Sequence, residues 1–377
     1  MRAVCYLLAA ALWLPVAAQE VGDTTAVSDT TAMTLEQAAA AGDMVSQYNL
    51  GNHYYNDGDA VTAVQWWTRA AEQGLDLAQS LLGQCYANGI GVDADVAQAA
   101  KWYNKAAEQG DPVAQYRLGV YYENGTGVKR DMARAVALYT ASAEQQCAGG
   151  MNNLGQCYQH GKGVKRDIAR ALELYRGAAD EGLAAAQYNL GVCYDKGIGV
   201  EANAEEAFMW YRVAAEQGME EAQYNLGLCY QDGYGVNKDA EEAASWFRQA
   251  AEQGYTAAQR SLANCYLTGE GIAKDPDYAV LWYQEAAKGG DVQSLYSLGL
   301  CHDEGWGVTP DPAKAADYYR QAAEQGDVAA QYRLAWCYDN GRGVQRDFHA
   351  ALTWYQQAAR GGNTEARNWL QKNGYSW

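Results

Sequence analysis

A glycine returns every 36 residues through most of this chain. Gly74 is followed by Gly110, Gly182, Gly218, Gly254, Gly290, Gly326 and Gly362, with Gln146 in the one vacant place. No insertion disturbs the step. A fixed period of this length marks a stack of small supersecondary units, each leaning on its neighbours for a core. At 377 residues the chain would otherwise suggest two or three globular domains. The unbroken period predicts one elongated array instead.

Residues 183–218 show how a unit is built. Ala186, Leu190, Gly191 and Tyr194 fall at i, i+4, i+5 and i+8, one face of a helix. Gly197 and Gly199 then recur in every complete unit, from Gly89 and Gly91 to Gly341 and Gly343. A glycine fixed at a helix end supplies a left-handed C-cap. The Val that follows, Ile272 in one copy, is apolar throughout and is expected to plug the gap between helices. Next comes a helix starter: Asp59, Asp95, Asp131, Asp167, Asn203, Asp239, Asp275, Asp311 or Asp347. Asp95 with Gln98, Asn203 with Glu206 and Asp239 with Glu242 have capping-box spacing. The second helix carries a bulky pair, such as Trp102-Tyr103 or Trp246-Phe247. The first helix answers with Gly or Ala after its Leu, as at Gly83, Gly191 and Ala263. Glycine inside a helix costs about 1 kcal/mol against alanine, which makes sense where a ring needs the space.

These residues, written AxxxLGxxYxxGxGVxxD…AxxWYxxAAEQG, resemble the Sel-one-like repeat (SLR), a relative of the tetratricopeptide repeat. The resemblance covers roughly residues 34–372. It implies an all-α, right-handed α-solenoid of about nine 36-residue antiparallel helix-pair repeats with capping helices, the first helices lining the concave side.

The ends differ from the repeats. Residues 1–18 have a basic start, an apolar run and small residues at Val16 and Ala18, the pattern of a secretory signal cleaved after Ala18. The run is short of the ~20 residues needed to span a bilayer, and no later segment spans, so the mature chain is expected to be exported: periplasmic or secreted, or in the ER lumen of a eukaryote. Residues 19–33 read as a disordered Thr-rich spacer. The solenoid then runs over 34–377, with an N-terminal cap at 34–74, regular repeats at 75–362 and a C-terminal capping helix at 363–377. Asn124-Gly125-Thr126 is a sequon in an interhelix loop.

The formal net charge is −18. Nucleic acid needs Lys/Arg stripes, so it is excluded as a partner, as are anionic membrane surfaces. Seven cysteines form a column, Cys85, Cys157, Cys193, Cys229, Cys265, Cys301 and Cys337, with Tyr121 at the missing rung. Stacked helices stand ~8–10 Å apart and a disulfide needs Cα atoms within ~7 Å, so the geometry favours buried thiols over disulfides. Intermolecular bonding and metal binding are the other readings. A tetrahedral zinc site needs clustered ligands, and His53, His160, His302 and His349 share no column. No metal, cofactor or catalytic residue is expected. The sequence holds no Gly-x-Ser-x-Gly, Ser-x-x-Lys, HExxH or phosphate-loop pattern.

A surface for binding is legible. By analogy with tetratricopeptide repeats, the residue two before Leu in each first helix faces the groove. It reads Tyr48, Ser80, Tyr116, Asn152, Tyr188, Tyr224, Arg260, Tyr296, Tyr332 and Asn368, with Asp195, Asp303 and Asp339 on the rim. The rings either pack against neighbouring repeats or line a groove. Tyrosine offers a large contact with a polar tip, which suits an extended peptide or protein loop, and a basic one best. The expected function is an exported, non-enzymatic, monomeric interaction scaffold. Two alternatives stand beside it. One is an envelope-glycan or carbohydrate binder, since Tyr, Trp, Asp and Asn also suit sugars. The other, from what some cysteine-rich family members do, is a β-lactam-binding or hydrolysing enzyme.

Overall fold

A computed structural model of the protein describes residues 33–377. The expected signal peptide, Cys5 and all of the spacer before Met33 lie outside the described residues. The described chain holds twenty helices and no strand. All but the first, Leu35–Ala40, and the last, Thr364–Lys372, are 13 residues long. They pack as consecutive antiparallel pairs, a first and a second helix per repeat, and the chain divides into two compact units, Met1–Ala186 and Gln187–Trp377.

One loop design joins the two helices of each repeat. In the repeat that starts at Asp76, the first helix ends at Asn88 and Gly89 turns left-handed with φ 71°. The N–H groups of Gly89 and Ile90 both donate to the Cys85 carbonyl. Asp95 then returns its backbone N–H to the Tyr86 carbonyl at 2.8 Å, which fixes the reversal, and its carboxylate accepts from the amides of Ala97 and Gln98. The same clamp recurs from Asp131 to Tyr122 through Asp347 to Tyr338. All nine expected starters cap their second helices. The spacing predicts capping boxes at Asp95, Asn203 and Asp239; there the cap accepts its amide bonds, while the full reciprocal box forms at Thr34 and Gln37. Short polar caps satisfy amides that a helix cannot satisfy itself.

The core of each repeat is a large residue against a small one. A Cβ on Gly191 would lie 2.6 Å from the Tyr211 ring, and one on Gly227 equally close to Phe247. Tyr139, Tyr175, Tyr283, Tyr319, Tyr355 and Phe247 are completely buried in this way. Burying such a side chain contributes about 1.5–3 kcal/mol, more than the helix-propensity cost of the glycine it meets. In the first unit, Tyr48, Trp67 and Leu82 share a cluster, with Val92 packed against it. Tyr103 and Tyr139 centre the next two. In the second unit Phe247, Tyr283, Tyr319 and Tyr355 do the same, and Ile272, Val308 and Val344 plug the gaps as the sequence suggests. At the C-terminus Trp369 stacks on Tyr355, with centroids 4.1 Å apart, and Leu370 is fully buried.

Candidate functional site

The tyrosine column recurs at one position of the first helices. Tyr116 in the first unit, and Tyr188, Tyr224, Tyr296 and Tyr332 in the second, are each half-buried. Each leans on a ring of its own second helix: Tyr188 on Tyr211, Tyr224 on Phe247, Tyr296 on Tyr319 and Tyr332 on Tyr355, at 5.8–5.9 Å. Tyr116 lies against Tyr139 at 6.5 Å and over Gly149 of the next repeat. Each ring is therefore packed at its base and stays half-buried. Tyr48, at the first position, is buried.

Arg260 interrupts the column. Its neighbour is intramolecular. Its Nη1 lies 2.7 Å from Asp291 Oδ2, and Asp291 caps the first helix of the next repeat. Ser80 makes the same reach in the first unit, donating to Asp111 at 3.3 Å.

The rim acids are also engaged within the chain. Asp195 accepts from the buried Tyr211 hydroxyl at 3.3 Å, as Glu123 does from Tyr139 at 2.8 Å and Gln159 from Tyr175 at 2.6 Å. The middle residue of the next Gly-x-Gly loop reaches back 39 positions to the same rim. Lys162 Nζ lies 3.4 Å from Glu123, the Tyr234 hydroxyl donates to the Asp195 carbonyl, and Arg342 pairs with buried Asp303 at 2.7 Å. Asp339 is held more loosely, 4.0 Å from Arg346. These carboxylates brace the face that the tyrosines present.

A glutamine relay goes beyond what the sequence reading assigned. Gln79, buried just before the column, donates to the Ala71 carbonyl of the preceding second helix and accepts from Gln109 of its own. Gln223 does the same between Ala215 and Gln253. Gln47 and Gln115 repeat the arrangement. Buried amides must find partners, so each relay fixes how one repeat seats on the last. The sequence signal was there: a Gln before the column residue and another in the closing AEQG.

The cysteine column is buried, and burial pushes the thiols of Cys85 and Cys229 up to about 12 and those of Cys157, Cys265, Cys301 and Cys337 up to about 11. Such thiols are poor nucleophiles at neutral pH. His302 takes the place held by Tyr in other repeats. It is buried, stacks on Tyr318 at 5.5 Å, and burial lowers its pKa. Among the described residues no group of His, Cys, Asp and Glu is arranged to hold a metal ion, and no helix is long and apolar enough to cross a membrane.

Paired helices on a 36-residue period, closed by glycine loops and stitched by amides, define an α-helical repeat scaffold. The Sel1 repeat matches nine consecutive segments, from 45–75 and 76–111 to 292–327 and 328–363. The chain belongs to the Sel1 repeat family, whose repeats typically mediate protein binding. It is similar to the crystal structure of a protective antigen present in uropathogenic Escherichia coli strains displaying an SLR fold, at 33% identity over 92% of this chain and 91% of that one, with a TM-score of 0.52. It is also similar to a Sel1 repeat protein from Oxalobacter formigenes, at 34% identity over 64% of this chain and 96% of that one, with a TM-score of 0.58. No curated protein matches the chain.

Proposed function

We propose that the protein is an exported, non-enzymatic scaffold that holds an extended segment of a partner protein along the tyrosines of its first helices. The observation that carries this is the bracing of the column. Tyr188, Tyr224, Tyr296 and Tyr332 are each backed by a buried ring and stay half-buried. A ring already held in place loses little freedom when a partner covers it, and tyrosine is a common interfacial hot spot. The family's habit of protein binding supports the reading. Export rests on the pattern of residues 1–18. A basic partner fits the charge of −18.

The test uses the partner captured by cross-linking in the native host and then purified. Tyr188→Ala, Tyr224→Ala and Tyr296→Ala should each cost ~2 kcal/mol or more of affinity, with smaller losses of stability. Unchanged affinity alongside large shifts of the urea midpoint would reduce the column to packing and end this reading.

A further inference from the structure

The repeats serve as controls for one another, and three residues that depart from the common pattern meet at one place in the second unit. No other first helix begins with two acids, as the helix Glu220–Asp232 does with Glu220 and Glu221. No other first helix is capped by an aromatic residue, as Tyr255 caps Thr256–Thr268; the remaining caps are Asp, Asn, Leu, Met or Cys. Tyr255 makes no side-chain cap bond, although Asp291 and Asp327 do at the same position. The fold does without these residues in every other repeat.

All three converge on the tyrosine column. The Tyr255 and Tyr224 rings stand 5.2 Å apart at 49°, and Tyr224 is backed by Phe247. The Tyr188 hydroxyl, one repeat earlier, accepts from Asn225 at 3.5 Å. Burial and the neighbouring Tyr188, Glu221, Tyr224 and Glu220 push the Tyr255 phenol up to about 12. Burial, then Glu221, raises the Glu220 carboxyl. All five residues are half-buried, and among the described residues no lysine, arginine or histidine forms an ion pair with Glu220 or Glu221. Acid pairs that only serve a helix start look different: Glu205-Glu206 and Glu241-Glu242 are exposed.

The equivalent places elsewhere show what fits. One repeat on, Arg260 stands at the Tyr224 position and its guanidinium pairs with Asp291 at 2.7 Å. In the first unit, Arg117 lies over Tyr116 at 5.3 Å. Around Tyr188 and Tyr224 the residues matching Arg117 are Asn189 and Asn225, so neither position carries a cation.

We propose that Tyr188, Glu220, Glu221, Tyr224 and Tyr255 form a recess that takes an arginine side chain of the partner protein. The inference rests on the interaction reading above and gives that partner a chemistry. A guanidinium is flat enough to lie against the tilted rings and can fork its donors onto two carboxylates. A lysine ammonium offers only a point charge.

The experiment titrates a (Gly-Ser-Arg)4 peptide, its lysine counterpart and its neutral citrulline counterpart onto the full chain by calorimetry. The arginine peptide should bind tightest and the citrulline peptide not at all. Glu220→Gln with Glu221→Gln should weaken the arginine peptide by about tenfold or more. Tyr255→Leu, which carries a residue other caps use, should weaken it several-fold. Glu241→Gln with Glu242→Gln removes the same charge from the same unit and should leave binding unchanged. Equal binding of lysine and arginine peptides, equal loss in the control pair, or no binding by the wild type would each overturn the recess. The captured partner separates this from the broader reading. If Tyr296→Ala weakens that partner while Glu220→Gln with Glu221→Gln does not, the recess fails alone. If the arginine peptide binds but the column variants leave the partner untouched, the broader reading fails instead.

Discussion

Arg342 reaches back across one repeat to set its guanidinium 2.7 Å from the buried carboxylate of Asp303. The link joins a loop to the preceding repeat's first helix, so it spans a boundary that no helical hydrogen bond crosses. Arg342→Ala should destabilise the second unit by about 1–2 kcal/mol, the penalty for stranding a buried acid discounted for the half-exposed arginine. Replacing both residues by Leu should recover most of that loss in urea melts. A double variant as unstable as the single would show that the contact is incidental.

Gln146 stands where every other repeat has glycine and adopts φ 61°. It is exposed, and equivalent glycines have open space where a Cβ would be, so the strain lies in the backbone alone. Gln146→Gly should therefore stabilise the first unit by about 0.5–1 kcal/mol, read as a higher melting temperature. A lower one would contradict the strain.

Gly235 is the opposite case. It has φ 70°, and a Cβ there would run into the Ala204 carbonyl of the previous repeat's second helix. Gly235→Ala should cost about 2–3 kcal/mol. Neighbour-only coupling predicts faster amide exchange around the joint between residues 204 and 239 and little change at residues 330–360. Uniform acceleration across the second unit would contradict that locality.

His302 gives the second unit a dependence on pH. Burial and nearby Lys314 lower its pKa, partly opposed by Asp311, while Tyr318 stacks on the ring. The unfolded chain then binds a proton more readily than the folded one. Stability is full above the unfolded value near 6.5 and falls as pH drops toward the lower folded value. His302→Tyr, the residue most other repeats carry there, should shrink the difference in urea midpoint between pH 7.5 and 5. An unchanged difference would remove His302 as its source.

Thiol labelling separates surface from core. Cys147 is half-buried, whereas Cys85, Cys157, Cys229, Cys265, Cys301 and Cys337 are buried with raised pKa values. Without reductant, a thiol reagent should modify Cys147 in the native protein and the seven buried cysteines of the column only after denaturation. Two or fewer reactive thiols under denaturation would point to a disulfide framework.

The periodic part of the fold was legible because each rule acts within a single repeat. Asp95 caps its helix, Gly89 turns left-handed, and Gly83 makes room for Tyr103, all from chemistry that returns at the same place in each copy. The 39-residue contacts were not legible, because their offset matches neither the repeat nor a helical turn. Their chemistry also changes from copy to copy: Lys162 with Glu123, Tyr234 with Asp195, Arg342 with Asp303. Only complementarity at a fixed offset would have found them. Asp195, Asp303 and Arg260 each have an intramolecular partner that their place in the repeat does not announce.

The glutamine relay also bears on how the protein would carry a load. A pull along the chain is borne at each joint by apolar contact plus, at most joints, a buried amide bond such as Gln223 to Ala215. Met151 and Leu295 stand where that amide donor would be, and Gln325, left without its usual acceptor, turns back to its own helix at Gln321. Those two joints lack the buried amide and add to their packing a side-chain ion pair each, Lys162 with Glu123 and Arg260 with Asp291. Under tension the stack should part there first, so the two substitutions place a weak seam inside each unit and let a strained protein give way in one place while its other repeats stay folded.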